Sequence, residues 1–110
     1  FKKPVIISTG LMDFKDIVNV VKYFRKFDFY KKKENLCIMH CVSAYPTPVE
    51  EANLATIGEL ARRLDCVIGL SDHTPDTTVA TAAVALGAQI IEKHFCLARK
   101  SSHLIVHQPM

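Results

Sequence analysis

The feature that most constrains this chain is a repeated unit: a short apolar run, an abrupt polar ending, then a helical pattern. Pro4-Val5-Ile6-Ile7 ends in Ser8-Thr9-Gly10, and Leu36-Cys37-Ile38-Met39 ends in His40 to Tyr45. Cys66–Leu70 ends in Ser71-Asp72-His73-Thr74, and Ala88–Ile91 ends in Glu92-Lys93-His94. Continuous apolar runs, as opposed to alternating ones, mark strands buried on both faces. The strand starts near 5, 36 and 67 are spaced by 31 residues, and the last falls near 88, giving the order βαβαβαβ. Such alternation predicts parallel strands joined by right-handed helical crossovers.

The segments between the runs support this reading. Asp13 is placed to cap a helix reaching about Phe27, with Ile17, Val20, Val21 and Phe24 on its buried face. Pro46 and Pro48 fix an extended loop. Glu50 and Glu51 then favour the start of a helix that runs to Leu64 and buries Leu54, Ile57, Leu60 and Ala61. A third helix, about Asp76–Leu86, is rich in Ala and Val and is stopped by Gly87. Phe24, Phe27, Phe29 and Tyr30 read as core and hinge packing, and Lys31-Lys32-Lys33 reads as a solvated helix-to-strand turn.

Two architectures share this element order. A doubly wound sheet concentrates its site at one switch point, whereas a (β/α)8 barrel draws site residues from many strand ends. Polar groups at four consecutive strand ends favour the barrel, and four strands make half of one. No G-x-G-x-x-G or Walker loop follows any strand, which argues against dinucleotide and P-loop chemistry.

The strongest concentration of reactive side chains is at the ends of the third and fourth runs. His94 follows His73 by 21 residues, one helix plus one strand. In a parallel sheet this brings both histidines to the same end of adjacent strands, where two imidazoles can share a divalent metal. Such a site needs a third protein ligand, or substrate and water, to complete it. Thr74, followed by Pro75, has an alternative role as the cap of the next helix. Lys93 at a strand end also admits a Schiff-base aldolase reading, which requires a desolvated amine. A third reading is non-catalytic: a phosphosugar-binding or assembly remnant.

Composition narrows the field. The chain has 110 residues and an apolar fraction of 49%, enough for one packed domain or part of one. Its formal charge is +3 with scattered basic residues, so no nucleic-acid interface is expected. No apolar run approaches a membrane span, and the basic start leads into no signal-type segment. Cys37, Cys41 and Cys66 fall in strand-like runs, and no C-x-x-C pair exists. They read as buried thiols of a reducing, cytoplasmic compartment. A strand almost at residue 1 suggests a fragment lacking an amino-terminal part. Ser101–Met110 fits no continuation of the pattern, and its His103 and His107 read as an accidental i, i+4 pair.

Taken together, Ile7-Ser8-Thr9-Gly10-Leu11-Met12, His40 to Pro48, Gly69 to Thr74, Ala85-Leu86-Gly87-Ala88 and Ile91-Glu92-Lys93-His94-Phe95 resemble the N-acetylneuraminate (sialic acid) synthase family. Legionaminate and pseudaminate synthases and spore-coat polysaccharide enzymes belong to it. The resemblance covers residues 1 to about 99 and leaves 100–110 as a divergent tail. It implies strands five to eight of a (β/α)8 barrel. It also implies a transferase that condenses phosphoenolpyruvate with an N-acetylated amino sugar, such as N-acetylmannosamine, to a nine-carbon 2-keto acid and phosphate. A divalent metal, typically manganese, and a homodimer completed by an antifreeze-like domain belong to the same expectation. Residue by residue, the resemblance makes His73 and His94 the metal ligands and Ser71 a phosphoenolpyruvate contact. Ser8 becomes a phosphate contact, Ser43 a further phosphoenolpyruvate contact and Tyr45 a sugar contact. Glu92 orients sugar or water beside the metal, and Asp72 is placed to support a histidine. Ala98 stands where several members have Asp, and the family's following Gly-Pro-Asp-His loop has no counterpart.

Overall fold

The structure is a computed structural model that describes residues 2–42 and 46–94. Four strands, β1 (Val5–Ser8), β2 (Leu36–Cys41), β3 (Val67–Asp72) and β4 (Ile90–Lys93), form one sheet. All neighbours are parallel, and the spatial order is β1-β2-β3-β4. Helices α1 (Phe14–Phe24), α2 (Ala55–Arg63) and α3 (Thr78–Ala85) form the crossovers. The strand order never reverses, so there is no switch point of the doubly wound kind. Each crossover advances in the same direction, which is the winding of a half barrel.

Side-chain alternation separates two faces. Leu36 and Ile38 of β2 and Ile68 and Leu70 of β3 join Ile17 and Val21 of α1, Ile57 and Leu60 of α2 and Val79 and Ala83 of α3 in one core. The opposite face is built in register layers. Ser8, Met39, Gly69 and Ile90 form one layer, and Cys41, Ser71 and Glu92 form the next. Each strand continues into residues expected to lie beyond it, so Ser71, Asp72, Glu92 and Lys93 are still paired in the sheet.

Helix ends follow local chemistry. Asp13 and Asp16 form a reciprocal capping box at α1, with Asp16 N–H donating to Asp13 Oδ1 at 2.8 Å. The helix stops at Phe24, short of the expected Phe27, because Phe27 adopts an extended backbone and the chain folds back. That return buries Tyr30, whose ring meets Phe24 edge-on at 5.1 Å and whose hydroxyl donates to Lys3 O at 2.7 Å. The aromatic group is packing, as its spacing suggested. α2 begins later than expected. A short 3-10 turn, Val49–Glu51, is separated from it by Asn53 at φ 53°, and the buried His40 Nε2 donates to the carbonyl of Ala52 at 2.8 Å. After α3, Gly87 takes φ 117° and Ala88 N–H reaches back to Ala83 O at 3.0 Å. This is the left-handed stop that glycine permits.

Gly69 decides how closely β2, β3 and β4 approach on the open face. A methyl group at Gly69 would lie 2.4 Å from Met39 Sδ and 2.7 Å from Ile90 O. The absence of that group lets Met39 fold over Gly69 and become only 1% exposed. Gly69→Ala is expected to lower stability by about 1–3 kcal/mol, the usual cost of overpacking. Urea denaturation checks this, and an unchanged midpoint would show that Met39 and Ile90 yield without cost.

Cys37 and Cys66 are buried free thiols. Burial pushes the Cys37 thiol up from 9.0 to about 11, with a further contribution from Cys66, and burial raises Cys66 as well. Stability from the protonated Cys37 is therefore full below 9.0 and is lost as pH rises through about 11. Denaturation at mildly and strongly alkaline pH should show wild type losing more stability than Cys37→Ala. Equal losses would contradict the raised thiol.

Candidate functional site

The paired ends of β3 and β4 assemble the site. In register, Ser71 lies beside Glu92 and Asp72 beside Lys93. Alternation sends these two pairs to opposite faces. On the open face the Ser71 hydroxyl donates to Glu92 Oε1 at 2.6 Å and lies 3.5 Å from His73 Nε2. The His73 and His94 rings stand 6.0 Å apart, centre to centre, tilted by 55°. Thus Ser71, His73, Glu92 and His94, spread over 24 residues of sequence, share one locality.

His73 is held from two directions. Its Nδ1 lies 3.1 Å from the carbonyl of Val42, an acceptor, so Nδ1 carries the proton and Nε2 presents the lone pair in the neutral ring. Its own carbonyl accepts from the backbone N–H of Thr47 at 2.9 Å. Thr47, set between Pro46 and Pro48, is itself buried. The proline-braced loop therefore fixes the histidine through backbone groups. These partners were invisible to a reading of side-chain types, and only the double proline signalled a rigid loop above the strand end.

The two imidazoles stand near enough to approach one divalent ion. With metal–nitrogen bonds of about 2.1 Å, two imidazoles on one ion have ring centres about 4.6–5.3 Å apart at octahedral or tetrahedral angles and about 6.5 Å only with the nitrogens opposite, so the observed spacing calls for a widened angle or a small approach of the rings. An imidazole whose Nδ1–H is held by a backbone carbonyl is also the usual arrangement for ligation through Nε2. Among the described residues no group of three His, Cys, Asp or Glu gathers closely enough to hold an ion. Glu92 is therefore no third ligand here, and the remaining positions would fall to water or substrate.

The back face holds a different constellation. Asp72 accepts from Thr74 N–H at 2.9 Å and from the Thr74 hydroxyl at 2.6 Å, both at Oδ1. Lys93 Nζ donates to Asp72 Oδ2 at 3.1 Å and to Thr74 O at 2.6 Å. These bonds bear on three sequence expectations. Asp72 does not hydrogen-bond a histidine, because alternation turns it away from them. Thr74 does not cap α3, because its hydroxyl is taken by Asp72 and the helix starts at Thr78. Lys93 is paired with a buried carboxylate and a backbone carbonyl, a setting unlike the desolvated, unpaired amine that a Schiff-base aldolase needs.

Ser8 ends β1 on the open face but lies level with Gly69 and Ile90, one layer below Ser71 and two strands away. It is exposed and is not brought against the histidines. Ser43 and Tyr45 lie outside the described residues, as do Phe95, Ala98, His103, His107 and the 100–110 tail. Thr9, which sequence reasoning did not single out, donates its hydroxyl to Met39 O at 3.0 Å and ties the end of β1 to β2.

Comparison with known proteins bears on the chain and its fold. A family model described as NeuB family matches residues 1–104. The pseudaminic acid synthase of Campylobacter jejuni is 40% identical over 96 residues, covering 87% of this chain and 27% of that protein. The N,N'-diacetyllegionaminic acid synthase of the same species is 37% identical over 100 residues, covering 91% of this chain and 29% of that protein. The crystal structure of N-acetylneuraminic acid (sialic acid) synthetase from Leptospira borgpetersenii superposes with a TM-score of 0.77 at 37% identity. It covers 90% of this chain and 33% of that one. The chain thus spans less than a third of the length of these two curated relatives.

The ion pair at Lys93 generates a direct prediction. Borohydride treatment in the presence of pyruvate should leave Lys93 unmodified, because an amine held by a carboxylate and a carbonyl is poorly placed to attack a ketone. A reduced adduct mapped to Lys93 would restore the aldolase reading.

Proposed function

Because the chain belongs to the NeuB family, we propose that it forms the C-terminal half of the catalytic barrel of a sialic-acid-synthase-type transferase. The reaction joins phosphoenolpyruvate to an N-acetylated amino sugar and yields a nine-carbon 2-keto sugar acid and phosphate. The observation that carries this reading is the convergence of Ser71, His73, Glu92 and His94 on one open face at adjacent strand ends. The chain spans 27% of the Campylobacter pseudaminic acid synthase, so the activity is that of a longer protein or assembly, acting in the family manner as a cytoplasmic homodimer. Among the described residues no helix is long and apolar enough to cross a membrane.

In this reading His73 and His94 hold a divalent ion, manganese by family expectation. When bound, that ion supplies Lewis acidity for the sugar's aldehyde. The chain's own residues do the positioning. Val42 holds the His73 ring at Nδ1 and Thr47 holds its backbone carbonyl, so Nε2 is the nitrogen that would meet an ion. Ser71 holds Glu92 by one oxygen, and a carboxylate has capacity for a further bond from a sugar hydroxyl or water. Ser71 also lies where it can meet phosphoenolpyruvate, while Ser8, Ser43 and Tyr45 are assigned phosphate, phosphoenolpyruvate and sugar contacts by the family resemblance.

Calorimetric titration of Mn²⁺ into the chain, with and without phosphoenolpyruvate, tests the reading. Wild type should bind the ion, and His73→Ala and His94→Ala should each weaken binding by at least ~10-fold. Binding that survives both substitutions would place the ion elsewhere and remove the two-histidine site. Phosphoenolpyruvate that binds without any metal dependence would favour the phosphosugar-binding remnant.

A further inference from the structure

The back face of the site carries a charged pair where the pattern of the sheet calls for apolar residues. Leu36 and Ile38 in β2 and Ile68 and Leu70 in β3 supply the helix-facing core, yet the next position in β3 is Asp72. Its side chain is 1% exposed, and its partner Lys93 is 26% exposed. Burying such a pair costs desolvation, and well-packed apolar side chains of similar volume are generally as stabilising. Stability alone therefore does not explain it.

Its placement does. Asp72↔Lys93 is the last register pair between β3 and β4, so beyond it the sheet no longer holds the two chains together. His73 and His94 are the next residues on each strand. Asp72 and Thr74 flank His73, and both are gripped by the same network: Thr74 N–H and hydroxyl on Asp72 Oδ1, Lys93 on Asp72 Oδ2 and on Thr74 O. Lys93 is in turn flanked by Glu92 and His94. A single ammonium therefore ties the peptide around one imidazole to the strand end that carries the other. The network lies on the opposite face from the imidazoles, so it acts on them through the backbone.

We propose that Asp72, Thr74 and Lys93 are positioning residues whose buried ion pair sets the spacing of His73 and His94 and holds His73 against Val42. This rests on the proposed two-histidine metal site only for its purpose, since the imidazole geometry is a property of the metal-free chain.

The test uses the 15N-labelled 110-residue chain and three variants. Asp72→Asn removes the charge but keeps an acceptor for Thr74. Thr74→Val keeps the ion pair and deletes the hydroxyl bond. Lys93→Arg keeps the charge and the donors. Thermal melting and circular dichroism establish folding. Long-range 15N–1H spectra at about pH 8, where imidazoles are neutral, report the His73 tautomer without metal. Calorimetry reports Mn²⁺ affinity. Wild type should show a single Nδ1–H tautomer at His73. Folded Asp72→Asn should show mixed tautomers and bind Mn²⁺ about 10–100-fold more weakly, the usual loss when support behind a ligand is removed. Thr74→Val should move both readouts in the same direction by less, and Lys93→Arg should leave both near wild type. If Asp72→Asn fails to fold, Thr74→Val decides. Folded variants with lowered melting points but wild-type tautomer and affinity would reduce the pair to a structural role and overturn the proposal. A wild type that binds no Mn²⁺ would sink the metal reading, while the imidazole spectra would still decide this one.

Discussion

Everything at the site depends on how period-two alternation runs through the last register pairs of β3 and β4. One residue step separates the Ser71–Glu92 pair from the Asp72–Lys93 pair, and that step moves a side chain from the open face to the helix-covered face. The open-face pair lies at the level where substrate chemistry is expected. The covered pair is enclosed by the core. The same three-residue pattern, polar-charged-histidine, thus serves two environments on each strand: Ser71-Asp72-His73 and Glu92-Lys93-His94 alternate open, covered, open. Parallel pairing without a register slip is what makes the two patterns complementary.

That pairing rests in turn on packing lower in the sheet. Gly69 admits Met39 and the backbone of β4, so β2, β3 and β4 approach closely at this level. The helices contribute from the other side, where residues of α1, α2 and α3 meet β2 and β3 in one core. The edges are less enclosed. Ile6 on β1 is 58% exposed on the open face, as expected where a strand has a neighbour on one side only. A half barrel covered by helices on one face explains both the buried centre and the exposed margins.

Much of this was legible in the sequence because parallel strands leave a simple signature. Four apolar runs, three helical stretches and a glycine stop gave the element order, and the observed strands begin within about two residues of the expected ones (β1 to β4 at Val5, Leu36, Val67 and Ile90). Strand ends were harder. Apolar continuity stops at Leu70 and Ile91, but hydrogen-bonded pairing continues through Asp72 and Lys93, since a ladder is a backbone property and tolerates polar side chains. Helix α2 was placed too early because Glu50 and Glu51 satisfy a macrodipole rule, while the left-handed Asn53 and the capture of the Ala52 carbonyl by His40 are tertiary facts. At the site, spacing brought His73 and His94 together correctly. It did not show that Asp72 and Lys93 pair on the covered face, because residue type shows reactivity but not which face of the sheet a side chain occupies.

The geometry also separates two parts of the chemistry. Both proposed metal ligands, Glu92 and Ser71 belong to one β-α-β unit, and the bonds that shape it are made between residues 42 and 94. Under the proposed reading, the metal site would draw only on residues of this chain. The proposed reaction would also need contacts assigned to other strand ends, such as Ser8, which lies a layer below and two strands away from Ser71. An ion held at the ends of β3 and β4 would sit at the boundary between what this chain shapes locally and what the remainder of a barrel must supply. Two histidines in one rigid unit can set the position of the ion before any substrate arrives, so the rest of the site need only be built around it.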